Sequence, residues 1–168
     1  SESILDVETI VQTAIEITNT IYPNQKISPQ LKIGTKIPFR SGTTNLIYIF
    51  RILLDNIIKH SGLHKGNRNI IIESDIENNN ILSIKMSNDI NAKEAKKIKS
   101  KLDAVKNKWN DKESDFSKSN IEGGSGFEKI RRILAVDMKM NKYSLDYVLN
   151  KNNLMIIINI EIHLNRVS

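Results

Sequence analysis

Residues 43–60 carry Leu46, Ile47, Ile49, Phe50, Ile52, Leu53, Leu54, Ile57 and Ile58 at helical spacing, covering most of the circumference of one helix. A helix apolar on so many sides has to be buried, so the rest of the chain must supply a layer to cover it. Ser41, Gly42, Thr43 and Thr44 offer capping groups at its start, and Ser61-Gly62 offers a stop. Lys59 and His60 fall in its last turn, where the helix dipole favours positive charge.

The covering layer is legible as strands. Ile70–Ile76 and Ile81–Ser87 read as a hairpin turning at Glu77–Asn80. A second hairpin follows near the end: Tyr143, Leu145, Tyr147 and Leu149 alternate with polar residues, 150–153 turns, and Ile156, Ile158, Ile160, Ile162 and Leu164 line one face. Pieces between Gln25 and Phe39, broken by Pro29, Gly34 and Pro38, read as edge or irregular strand. Further helices are expected from Asp6 to about Thr20, along the stripe Ala92, Ala95, Ile98, Leu102, Val105 and Trp109, and after Gly126 through Phe127, Ile130, Ile133 and Leu134. Residues 110–120 are polar and read as mobile. This order predicts an α+β fold, a two-layer α/β sandwich whose mixed, mostly antiparallel sheet carries its helices on one face.

With 168 residues, 39 % of them hydrophobic, the chain suits a single domain. It contains no cysteine, which excludes disulfides, thiolate metal sites and cysteine catalysis. Purely apolar runs last only a handful of residues, as around Met155–Ile158, so no membrane-spanning helix is expected. Ser1 stands where an initiator Met would be, and the chain is read as a domain cut from a longer, cytoplasmic protein. Lys and Arg number 25 against 19 acids, and residues 91–118 hold nine lysines against five acids. Such a segment suits phosphates, an acidic partner or nucleic acid; aromatic interleaving is nearly absent, so nucleic acid is the weaker reading.

Three places can carry chemistry. Asn56 is an amide inside the apolar helix, with Lys59 and His60 one turn on along the same side. That set suits a divalent metal with attached phosphates, or else Asn56 caps a neighbouring strand while the two cations only end the helix. Asp55 lies four residues after Arg51, the spacing of a helical ion pair, which is the expected role for both. Gly123-Gly124-Ser125-Gly126 directly precedes a helix, where backbone N–H groups can approach an anion, though a plain connection reads equally well. Met86-Ser87-Asn88-Asp89 ends a strand, where polar side chains either read a ligand edge or form a turn.

Taken in order along the chain, these features resemble the GHKL superfamily of ATP-binding domains (the Bergerat fold), which includes sensor histidine kinases, DNA gyrase, mismatch-repair ATPases and certain chaperones. Leu54-Asp55-Asn56-Ile57-Ile58-Lys59-His60-Ser61 looks like the asparagine box in its histidine-kinase version, and Gly124-Ser125-Gly126-Phe127 like the second glycine box. The resemblance covers nearly all of residues 1–168, with the first helix in 1–24. It implies ATP and Mg²⁺ as cofactors: Asn56 holding the metal, Lys59 and His60 facing phosphates, and Gly124, Ser125, Gly126 and Phe127 forming the closing loop. Residues 91–122 would be the ATP lid. It also implies a phosphoacceptor or effector domain outside this chain and leaves room for a dimeric parent.

Two departures modify that expectation. The family's first glycine box pairs an adenine-reading Asp with a nearby Gly. Here the stretch is Ser87-Asn88-Asp89-Ile90-Asn91; Asn88 aligns with the Asp, and Asp89 could serve only if the strand slid by one residue and reversed its facing. Hydrolytic members place a general-base Glu one turn before the metal-binding Asn, where this chain has Ile52, which cannot accept a proton. The expectation is a kinase-like ATP-Mg²⁺ module serving phosphoryl transfer, with efficient hydrolysis disfavoured. The alternative is a non-catalytic module of the same fold that docks a protein or nucleic acid through its basic lid.

Overall fold

The structure, a computed structural model, describes residues 4–34, 36, 38–64, 68–78, 80–111 and 126–162. These form α1 (Val7–Ile21), β1 (Gln30–Ile33), α2 (Thr43–His60), β2 (Ile71–Glu77), β3 (Ile81–Asp89), α3 (Ala92–Asn110), α4 (Phe127–Arg132), β4 (Tyr143–Asn150) and β5 (Asn153–Glu161). The strand order is β1-β2-β3-β5-β4, with β1 parallel to β2 and every other pairing antiparallel. This is the expected mixed, mostly antiparallel two-layer sandwich. The proline-flanked segment supplies the edge strand β1, where a missing N–H costs least.

Register follows from the pleat. Ile84 pairs with Ser74 and Ile158, and Met86 with Ile72 and Ile156. All six side chains are buried and lie on one face of the sheet. On the opposite face Glu73, Lys85 and Asp146 sit in register across four strands. Against the apolar face lies α2, with Leu46, Ile49, Phe50, Leu53 and Leu54 at 3 % exposure or less. Ile10, Val11 and Ala14 of α1 are fully buried in the same core and cover another side of α2. The apolar circumference of α2 is thus explained: it has sheet on one side and helices on others.

Local details differ from the sequence expectation at three points. No side chain caps α2; Gly42, in the left-handed region at φ 76°, is its N-cap. Strand β3 runs on to Asp89, because β5 continues opposite it to Asn153, so Asn88 and Asp89 are ladder residues and not a turn. The helix after Gly126 is short and passes into a π-type turn at Ile133–Asp137. The stop of α2 agrees with expectation, with Ser61 at the C-cap and Gly62 at φ 70°.

Candidate functional site

Asn56 stands between two cavities of opposite character. The first, about 40 Å³, lies between helices and sheet. Leu53, Asn56, Ile57 and His60 of α2 form one wall, Met86 and Asn88 of β3 with Leu154 and Ile156 of β5 form its floor, and Phe127 of α4 reaches its end. Ile98 and Leu102 of α3 close it. The second is polar and larger, about 190 Å³, lined by Tyr48, Arg51, Ile52, Asp55 and Lys59 of α2 and by Gly126 and Lys129 at the start of α4. Asn56 and His60 line both.

The amide of Asn56 is not a strand cap. Its Nδ2 is buried without a hydrogen-bond partner, a state that costs on the order of 1–3 kcal/mol. An amide held in that condition on a cavity wall fits a ligand that supplies the missing partner. Its oxygen offers one hard donor to a divalent cation. Among the described residues no cluster of three or more His, Asp or Glu could hold a metal alone. One amide oxygen therefore fits only a cation such as Mg²⁺ that brings phosphate and water ligands with it.

The expected Arg51–Asp55 pair does not form. Asp55 accepts a short hydrogen bond from the Tyr22 hydroxyl, delivered from the end of α1, and pairs with Lys59 Nζ at 3.0 Å. Contact with Asp55 holds the Lys59 ammonium above its ordinary pKa, so it stays charged. Arg51 is left with Nε buried and unpartnered. Partial desolvation, with help from Lys101 of α3 and Lys59, pushes His60 below the usual imidazole value and favours its neutral form.

Asn88 is 4 % exposed and points to the helix side, donating from Nδ2 to Asp89 O at 2.8 Å. Its carbonyl oxygen accepts no hydrogen bond among the described residues. Asp89 faces the other way, where Asn69 Nδ2 donates to it at 2.6 Å and Asn153 Nδ2 at 3.3 Å. The structure thus gathers Asn56, Lys59, His60 and Gly126 at the polar pocket, with Asn56, His60, Asn88 and Phe127 at the apolar one. Asp89 belongs to neither.

Gly126 has φ +80°, and a Cβ there would come within 2.5 Å of Ile52 Cγ2. Glycine is needed twice over, for the backbone conformation and for the approach of α4 to α2. Gly124 and Ser125, residues 112–122 of the expected lid, and His163 lie outside the described residues. The described part of that lid is helix α3, packed along β4. Trp109 meets Tyr143 edge-on at 5.8 Å, Tyr147 donates its hydroxyl proton to Asp103, and Lys106 pairs with Asp146 at 2.9 Å. Sequence reasoning missed Arg51 and Lys129 as pocket residues. The available signal was their charge at the margins of two apolar helix faces.

No helix among the described residues is long and apolar enough to cross a membrane. No curated protein sequence matches the chain. Solved structures do. The catalytic domain of histidine kinase ThkA, in a nucleotide-free form, superposes with a TM-score of 0.63 at 13 % identity, covering 95 % of this chain and 96 % of that one. Acinetobacter baumannii histidine kinase AdeS gives 0.60 at 15 % identity over 96 % of this chain and 67 % of that one. The mycobacterial sensor histidine kinase MprB gives 0.59 at 13 % identity over 95 % and 97 %. At such identities the likeness shows the fold, that of the GHKL-type catalytic domain. A family model matches residues 6–164, and by it the chain belongs to the family described as "y4jQ C-terminal putative histidine kinase domain".

Proposed function

We propose that this domain binds ATP with Mg²⁺ across the two cavities, base in the apolar one and phosphates in the polar one, for phosphoryl transfer to an acceptor outside the chain. The observation that carries this reading is the unpartnered buried amide of Asn56 at the junction of both cavities. The metal, held by the Asn56 oxygen, would neutralise phosphate charge. Asn88 offers its carbonyl oxygen to the exocyclic amine of adenine, and Gly126 opens α4 so that backbone N–H groups can approach the phosphates. Lys59, with His60 beside it, adds charge at the mouth. Catalysis of this kind is largely positioning and charge stabilisation. Ile52, pressed against Gly126, offers no group to activate water, which supports transfer over hydrolysis. The bonds to be exchanged are the γ-phosphorus to its bridging oxygen, which leaves with ADP, and the γ-phosphorus to the acceptor's nucleophile. A nucleotide supply of this kind suits a cytoplasmic setting.

Asn56→Ala tests the reading. It should abolish the Mg²⁺-dependent rise in melting temperature on adding ATP while leaving the circular dichroism spectrum unchanged; an undiminished rise would remove Asn56 from the site. The size of the apolar cavity favours a second reading. About 40 Å³ is far below the ~300 Å³ or more of ordinary ligand pockets, as expected of a non-catalytic module that docks through α3. In that case ATP produces no shift in the unaltered protein either, and retention on heparin with a steep salt dependence would identify nucleic acid as its partner.

A further inference from the structure

Four charged side chains of α2 and α4 line the polar pocket: Arg51, Asp55, Lys59 and Lys129. Asp55 and Lys59 neutralise each other at 3.0 Å, with the Tyr22 hydroxyl completing the carboxylate. What remains is two cations on two different helices. Neither Arg51 nor Lys129 makes an ion pair among the described residues, and Arg51 Nε is buried without any partner. An unpaired guanidinium nitrogen out of water is expensive unless a ligand satisfies it. The pocket's volume of about 190 Å³ admits several waters or one phosphoryl group. Ile52, also in its lining, offers no group to activate water.

We infer that Arg51 and Lys129 form a clamp for the terminal phosphate of a nucleoside triphosphate, making this domain distinguish triphosphate from diphosphate. The inference rests on the ATP-binding reading but concerns different residues and a different comparison. Lys59, tied to Asp55, adds little net charge of its own to the pocket. Arg51 and Lys129 approach from opposite helices and can close on the group that only a triphosphate carries. A planar guanidinium adds two-point recognition of phosphate oxygens that an ammonium cannot reproduce.

Calorimetric titration with the Mg²⁺ complexes of ADP and of the β,γ-imido analogue of ATP separates the possibilities. The unaltered protein should prefer the triphosphate analogue. In Arg51→Ala the affinity for the analogue should fall about ten- to a hundredfold, the range for a lost hydrogen bond to a charged group, while ADP affinity stays within about twofold. Lys129→Ala should act in the same direction with a smaller fall. An equal loss for both nucleotides, or none for either, overturns the clamp while leaving ATP binding intact. Failure of the unaltered protein to bind either nucleotide overturns the functional reading and the clamp with it. Should Arg51→Ala not fold, Arg51→Lys and Lys129→Ala decide by the same ratio: a reduced preference supports the clamp and an unchanged one rejects it.

Discussion

The two cavities share Asn56 and His60 and have little else in common. The apolar cavity is a gap in the core, bounded by residues whose burial the helical and strand periods dictate, and α3 narrows it with Ile98 and Leu102. The polar pocket is bounded by charges left over after those same helices packed. Its character depends on which charges pair, and Tyr22 and Lys59 both choose Asp55. Core geometry therefore sets the apolar cavity, whereas a contest among surface charges sets the character of the polar one.

The largest effect should come from the apolar side. Leu102 is fully buried, and Leu102→Ala should cost about 2–5 kcal/mol in denaturant unfolding. Because the lost side chain narrows the cavity, adenosine should bind more tightly to the variant while inorganic tripolyphosphate binds unchanged. A parallel change in both ligands would mean that the cavities are not separable. Helix α3 docks on β4 through one aromatic edge contact, one short hydrogen bond and an exposed ion pair, and Ala95, Leu102 and Trp109 anchor it in the core.

Next in size is the seam where α4 meets α2. Gly126→Ala forces a Cβ onto Ile52 Cγ2 and an alanine into φ +80°, at a cost of about 1–3 kcal/mol in thermal unfolding. Ile52→Ala in the same chain should recover the steric part and leave the backbone part, a coupling measurable in a double-mutant cycle. Full additivity would show that α4 had already shifted away. Smaller again is Asn88→Asp, which places a carboxylate where the proposed reading has the amide oxygen accept from adenine. Charge assistance roughly doubles such a hydrogen bond. The preference for adenosine over guanosine triphosphate should rise by about three- to tenfold in competition binding; an unchanged preference would remove Asn88 from base reading.

How much of this was legible in the chain varies with the range of the interaction. The burial of α2, the two hairpins and the glycine before α4 follow from local period and backbone preference, and the sequence carries all of them; the pairings of β1 with β2 and of β3 with β5 are long-range and it does not. Asn56 stood out because an amide amid isoleucines has to be explained. The Arg51–Asp55 pair was expected from spacing alone and failed because Tyr22, 33 residues away, competes for the same carboxylate. Residues 88 and 89 read either as a ligand edge or as a turn, because polar side chains end the apolar run. Pairing with β5 keeps both in the ladder and turns Asp89 to the opposite face. Lys129 lies on a helix whose approach to α2 is set by Gly126, and no local pattern reports that approach.

The smallest effect tests whether the two cavities communicate through His60. Partial desolvation is the main reason its pKa lies below the ordinary value, followed by Lys101 on α3 and Lys59; Asp55 and Glu94 oppose them. The folded state therefore takes up this proton less readily than the unfolded chain, whose imidazole titrates near 6.5. Stability contributed by neutral His60 is complete above that pH and is lost as the pH falls below it toward the lowered folded value. Melting temperature should decline through that window, and His60→Gln should flatten the decline. A phosphate in the polar pocket reverses the balance by placing negative charge beside the ring, so binding should draw in a proton. Calorimetry in buffers of different ionisation enthalpy near pH 6.5 reads this uptake directly. Uptake with tripolyphosphate but not with adenosine would assign His60 to the polar side, and equal uptake with both would make it the link between the two.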